Sequence, residues 1–351
     1  MAAWPSTDNA YNHREMSTRV RSHAKINLGL AIGPVRPDGF HALTTIYQTL
    51  AIHDIVTVTA ERLPEGAPSS IHLSCTDARV PCDARNTAWK MVELALAAMR
   101  VPAHVAIHIE KKLPVQGGLG AGSANAVAAL VGLERELGVR LPEVAALDLA
   151  AAVGSDVPLF LIGGTVFGTG RGEQVSPLPD LPGLPCVVAM PPVGVSTPQA
   201  FRDWDALQAQ QGLTAAAASD RLKELGGRWA AALNGGPPDF TTDSGVFLEK
   251  DRAEGPLLRL VRAGTENDFE CVVFPQCPSL HDILQVLRNS PSGKQDALYA
   301  ALSGSGSALF GLYATQEAAQ AAMGRLAAHG TQALLTRALC RAEYWQGMVV
   351  G

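Results

Sequence analysis

Apolar and polar or small positions alternate strictly from Lys25 to Ile32, which predicts a strand with Ile26, Leu28, Leu30 and Ile32 on one face. Lys25 and Asn27 then share the opposite face with Gly29 and Ala31. That face is either a floor for a polar ligand or a solvated strand surface. Val105, Ile107 and Ile109 alternate in the same way and predict a strand over 104–110, and a further strand is predicted over 55–60. Between them the period becomes helical: Ala88, Met91, Val92 and Ala95 line one face of a helix over 86–100. Further helices are predicted over 123–137, closed by Gly138, and over 142–153, with Pro142 in the first turn. The pattern then gives helices over 207–233, 256–261 and 279–287, and a strand over 308–313. Strands and helices interleave without an internal repeat, so the class is mixed α and β.

Punctuation divides the chain. Residues 1–22 are polar and predict a mobile leader, with Met16 as an alternative start. The proline-rich stretch 183–200 reads as a crossing between two halves, 23–182 and 183–345. Asn234-Gly235-Gly236-Pro237-Pro238 opens a polar excursion that runs to about 255.

Composition sharpens this picture. At 351 residues and 47% apolar, the chain can bury one large core or two ordinary ones. Lys and Arg number 28 against 33 Asp and Glu, a net charge of −5 with no basic stripe, which argues against a nucleic-acid partner. Six scattered cysteines form no Cys-x-x-Cys pair and read as reduced thiols. With no signal core and no run of about 18 apolar residues, the expected location is the cytoplasm, away from any membrane.

The run Leu113-Pro114-Val115-Gln116-Gly117-Gly118-Leu119-Gly120-Ala121-Gly122-Ser123-Ala124-Asn125 is the first place to look for chemistry. Glycines let a backbone approach a ligand closely, and a helix starting there aims unpaired N–H groups at it, which makes a phosphate site. Tight packing alone would explain the same residues. Neither the P-loop nor the dinucleotide fingerprint fits, because Gly122 is followed by Ser123 and Ala124, and Ser123 stands where a third glycine belongs. Asp156, between Gly154 and Pro158 in an apolar setting, is either a local turn-former or a carboxylate held by a cation, for which Lys25 is the candidate. Ser303-Gly304-Ser305-Gly306-Ser307-Ala308 reads as a tight turn or a second binding loop. Arg36-Pro37-Asp38-Gly39 is a turn that presents Phe40 and His41, either to the core or to a flat base.

Together and in this order, these pieces resemble the GHMP kinases, small-molecule kinases with three short motifs. Within that superfamily Ala24-Lys25-Ile26-Asn27-Leu28 and Arg36 to His41 are similar to the 4-diphosphocytidyl-2-C-methyl-D-erythritol kinase family of the non-mevalonate isoprenoid pathway. The resemblance extends to Lys112 to Asn125, Gly154 to Pro158, Val195 to Phe201, Glu266 to Glu270 and Ser303 to Ala308. It implies an α+β two-domain fold, an N-terminal ribosomal-protein-S5-like lobe and a C-terminal ferredoxin-like lobe, with ATP between them. It implies Lys25 and Asp156 as the catalytic pair, Asp156 taking the proton of the substrate's 2-hydroxyl. It also implies an ATP loop at Pro114, Val115, Gln116, Gly117, Gly118, Leu119, Gly120, Ala121, Gly122, Ser123 and Ala124, with Lys111 and Asn86 as further nucleotide contacts and Ser123 as a phosphate or Mg²⁺ contact. Asn27, Phe40, His41, Thr197 and Phe201 match substrate positions, Phe40 and Phe201 sandwiching the cytosine of a cytidine diphosphate group. The expected assembly is a monomer or weak homodimer.

Gln116, Ala121 and Ala124 depart from the family loop, and Phe40 replaces a commoner tyrosine. Two rival readings stand beside this one. A homoserine- or mevalonate-type kinase would have no pyrimidine to hold, and a non-catalytic nucleotide-binding regulator would lack the Lys–Asp pair.

Overall fold

The computed structural model describes residues 17–115, 117–235, 255–290, 293 and 295–350. Met16 with most of the expected leader, Gln116 of the glycine loop, and 236–254 of the expected excursion lie outside the described residues. The chain opens with β1 (Thr18–Val35), β2 (His41–Arg62), β3 (Ser70–Cys75), α1 (Thr87–Met99) and β4 (Ala103–Glu110). There follow α2 (Ala121–Leu137), α3 (Glu143–Val153), α4 (Leu159–Ile162), β5 (Thr165–Thr169) and β6 (Gln174–Pro177). The second half runs β7 (Pro185–Met190), α5 (Thr197–Gln210), α6 (Ala215–Leu233), α7 (Pro256–Arg262), α8 (Glu270–Gln276) and α9 (Pro278–Arg288). It ends with β8 (Tyr299–Leu302), β9 (Leu309–Leu312), α10 (Gln316–Ala328), β10 (Gln332–Arg337), α11 (Arg341–Met348) and β11 (Val349–Val350).

Two sheets result. The first runs β11-β1-β2-β4-β3, with β5 pairing β2 and β6 pairing β5. The second is antiparallel in the order β10-β7-β9-β8. One core packs the first sheet against α1, α2 and α3, through Met91, Val92, Val127, Leu130 and Ile107 among others. A second joins Ile26, Leu28 and Ile46 of the first sheet to Trp229 of α6 and Val188 and Phe310 of the second sheet. A third, around Leu284, Leu302 and Tyr313 of the second half, also takes in Leu30 and Ile32 of β1. No helix among the described residues is long and apolar enough to cross a membrane.

Local chemistry sets the ends of these elements. Asn86 caps α1, its side chain accepting from Ala88 N, and Gly138 closes α2 in the left-handed conformation at φ 60°. Several expectations change. Residues 18–22 of the expected leader belong to β1. A register shift between Asn27 and Gly29 reverses the faces of β1, so Ile26 and Leu28 enter one core while Leu30 and Ile32 enter another. The single helix expected over 207–233 is two: Gly212, at φ 65°, breaks it, and the Thr214 side chain caps the second by accepting from Ala217 N. The crossing at 183–200 contains a core strand, β7. The last segment returns to the first sheet, where β11 pairs with β1 and Tyr344 Oη donates to Phe160 O at 2.7 Å.

Candidate active site

Register brings the polar face of β1 and β2 together. Lys25 pairs with Thr49 and Asn27 with Tyr47 across the two strands. This face is buried rather than solvated: Lys25 is 2% exposed. An ammonium held there needs compensation. Its Nζ donates to Asn27 Oδ1 at 2.7 Å and lies 3.1 Å from Asp156 Oδ2. Asn27 Nδ2 in turn donates to Thr45 Oγ1 at 2.8 Å, which donates to Gly29 O at 2.7 Å. Asp156 reaches the lysine from the turn ahead of α4, where its side chain keeps 33% exposure. Tyr47 Oη donates to the other carboxylate oxygen, Oδ1, at 3.1 Å. Burial, then the charge of Asp156, holds the Tyr47 phenol well above its ordinary range, so it remains a protonated donor.

The glycine loop rests directly on this pair. Lys25 N donates to Leu119 O at 2.9 Å. Gly120 has φ +69°, and a Cβ there would stand 2.9 Å from Lys25 Cγ and 3.0 Å from Phe160 Cζ. Gly118 has φ +77°, and a Cβ there would come within 2.0 Å of Ser303 O. Both positions therefore demand glycine. The loop carbonyls turn away from the site: Ala308 N donates to Gly117 O at 3.2 Å and Ser303 Oγ to Gly118 O at 3.0 Å. The first intrahelical bond of α2 is Ala124 N to Gly120 O, so the amides of Ala121, Gly122 and Ser123 lie ahead of it at the helix N-terminus. Thr87 Oγ1 braces this end by donating to Gly122 O at 2.6 Å. Leu119, Ala121 and Ala124 are buried, whereas Pro114, Val115 and Ser123 are half-buried beside the loop. This cradle, cleared of side chains and lined by amides, fits a phosphate chain.

Two expected nucleotide contacts are committed elsewhere. Lys111 Nζ pairs with Asp54, which is fully buried and also accepts from Lys112 N and Leu113 N. Asn86 spends its amide on the α1 cap and on Pro81 O.

Among the expected substrate positions, His41 lies flat on Phe201, centroids 4.6 Å apart at 13°, and Phe201 meets Phe269 edge-on at 4.9 Å. The facing aromatic pair is thus Phe201 with His41, which covers a face that the expected Phe40–Phe201 sandwich needs. Phe40 stands 50% exposed with the Arg171 guanidinium 5.0 Å over its ring. His41 Nε2 hydrogen-bonds Asp205 Oδ1 at 2.7 Å, and Thr197 Oγ1 bonds Ser305 Oγ at 2.7 Å.

Sequence models of two families match the chain: "GHMP kinases N terminal domain" over 86–164 and "GHMP kinases C terminal" over 249–332. A 4-diphosphocytidyl-2-C-methyl-D-erythritol kinase of Synechococcus sp. (strain JA-2-3B'a(2-13)) is 36% identical over 302 residues, covering 86% of each chain. The chain belongs to the 4-diphosphocytidyl-2-C-methyl-D-erythritol kinase family. The Thermobifida fusca kinase of that name is 39% identical over 70% of this chain and 83% of its own. A crystal structure of 4-(cytidine 5'-diphospho)-2C-methyl-D-erythritol kinase superposes with TM-score 0.62 at 28% identity, over 91% of this chain and 98% of that one. The homoserine kinase of Cytophaga hutchinsonii shares the fold, with TM-score 0.65 at 20% identity over 95% and 98% of the two chains.

Sequence reasoning missed several groups of this kinase's candidate site. Tyr47 lies in the half of β2 not predicted as strand, and only the register with Asn27 reveals it. Asn267 Nδ2 donates to Leu302 O and Gly304 O, both at 2.8 Å, and so fixes the loop behind Gly118. Asp205 and Arg171 carried no motif signal. Among the described residues no cluster of three or more His, Cys, Asp or Glu could hold a metal ion.

Proposed function

We infer that the chain transfers the γ-phosphoryl group of ATP to the 2-hydroxyl of 4-diphosphocytidyl-2-C-methyl-D-erythritol, and that it does so in the cytoplasm. The observation that carries this reading is the Lys25–Asp156 pair at 3.1 Å, packed under the glycine loop. The β-phosphate sits against the amides at the start of α2, where the helix dipole favours negative charge. As the acceptor oxygen bonds to the γ-phosphorus, the bond from that phosphorus to the β-bridging oxygen breaks and ADP leaves. Asp156 takes the acceptor's proton. Lys25 balances charge on the carboxylate and on the transferring group. Asn27 acts through Lys25, holding Nζ in place. Mg²⁺ would need few protein ligands here: the Ser123 hydroxyl would help to hold it, and the ion would offset phosphate charge during transfer. His41 and Phe201 supply the flat surface for the cytosine, with Phe40 at its exposed edge and Thr197 at the start of α5.

Incubation with ATP, Mg²⁺ and the cytidyl substrate is expected to give a new phosphomonoester in the phosphorus NMR spectrum, with homoserine and mevalonate giving none. Lys25→Ala and Asp156→Ala should each lower kcat by roughly 10²-fold or more while circular dichroism shows the fold intact. Wild-type turnover in both variants would reject the assignment.

A further inference from the structure

Tyr47 touches both members of the catalytic pair. Its hydroxyl donates to Asp156 Oδ1 at 3.1 Å, and its ring lies 5.5 Å from Lys25 Nζ, within reach of a cation–π contact. The ring has almost no freedom. It is 2% exposed, and the β5–β6 hairpin closes on it with two glycines. A Cβ at Gly168 would come within 2.7 Å of Tyr47 Cε2, and one at Gly172, φ +107°, within 2.5 Å of the hydroxyl. Apart from Asp156, the hydroxyl reaches only Gly172 O among the described residues, at 3.5 Å. Phenylalanine would fill the same slot, so the oxygen has a job that packing does not explain.

We propose that Tyr47 is the positioning residue of the Lys25–Asp156 pair. Its phenol fixes the rotation of the carboxylate so that Oδ2 faces the ammonium and a free lone pair faces the acceptor hydroxyl. A carboxylate held by the lysine alone could turn about its Cβ–Cγ bond and lose that alignment, and misalignment is paid in rate rather than in binding. Tyr47 itself touches neither reactant and exchanges no proton. The inference rests on the phosphoryl-transfer reading above.

The test is Tyr47→Phe, alone and combined with Asp156→Ala, in steady-state and single-turnover assays. Tyr47→Phe is expected to lower kcat about 10-fold with the KM values for ATP and the cytidyl substrate within 2-fold of wild type. In the Asp156→Ala background the same change should cost less than 2-fold, because the group it positions is gone. Unchanged kcat in Tyr47→Phe would overturn the inference, as would a 10-fold loss that persists without Asp156. A kcat loss accompanied by an equal rise in KM and a lower melting temperature would also overturn it, since that marks a structural role. Failure of the functional reading looks different, since the wild-type protein would then not phosphorylate the cytidyl substrate at all.

Discussion

Single residues in this site are constrained by space as much as by chemistry, and the glycine loop shows how sharply neighbours can differ. At Gly118 a methyl group would overlap the carbonyl of Ser303 at 2.0 Å, whereas at Gly122 the nearest atom is Thr87 Oγ1 at 3.5 Å. Gly118→Ala is therefore expected to abolish stabilisation by ATP in thermal-shift measurements, and Gly122→Ala to leave kcat/KM within about 2-fold. His23 offers a second residue-scale prediction. Burial, then the neighbouring charge of His53, lowers its pKa from 6.5 to about 4. The folded state thus favours the neutral ring, and protons bind the unfolded state more readily between those values. Stability should be full above about pH 6.5 and fall as the pH drops towards 4, by up to about 3 kcal/mol. Urea unfolding at pH 7 and pH 5 checks this, with the difference reduced in His23→Phe.

The chemistry of single residues was legible in sequence where a motif and a charge coincided. Lys25 and Asp156 stand out because a lysine on a small-residue strand and a carboxylate in an apolar turn each need a partner. Lys111 and Asn86 enter only through the resemblance, as weaker matches to nucleotide contacts; in the fold Lys111 neutralises Asp54 and Asn86 caps a helix. Only the fold reveals the competing partner in each case.

Elements were legible where periodicity was strong and lost where a local device broke it. The helix at 87–99 has a clear apolar stripe and a side-chain N-cap, while the helix at 121–137, with Ala124 to Leu130 all buried, is marked by the glycine loop before it and Gly138 after it. The first half of β2 escaped because both faces are buried, leaving no alternation from Thr44 to Leu50. Alanine-rich composition hid the break at Gly212, since α5 and α6 look continuous without its backbone angle. One interaction ties α6 to the segment beside β1: Arg221 binds Asp268 at 2.6 Å and Glu266 at 2.5 Å, and Asp268 also accepts from Ile32 N at 2.6 Å. Arg221→Met would leave the Asp268 carboxylate buried with a single backbone donor. Because the arginine is partly exposed, the expected loss is about 2 kcal/mol in urea unfolding, below the range for fully buried pairs.

At the scale of the whole molecule, the apolar core between the two sheets and the hydrogen bonds behind the glycine loop join the halves. Trp229, Phe310 and Ile26 share that core, although they come from three distant stretches of chain. ATP that binds the loop should therefore stabilise both halves in one transition, by about 2.7 kcal/mol at a hundredfold excess over Kd. Differential scanning calorimetry would show a single peak moving upward, while a second, unmoved peak would mean that the halves melt independently.

The backing of the loop by Ser303 and Ala308 also bears on what a fragment can do. A polypeptide comprising 17–182 carries every glycine of the phosphate cradle and both charged partners, but not the hydroxyl and amide that turn its carbonyls outward. Severed there, it should be blind to nucleotide, and adding the missing piece in trans should restore sight.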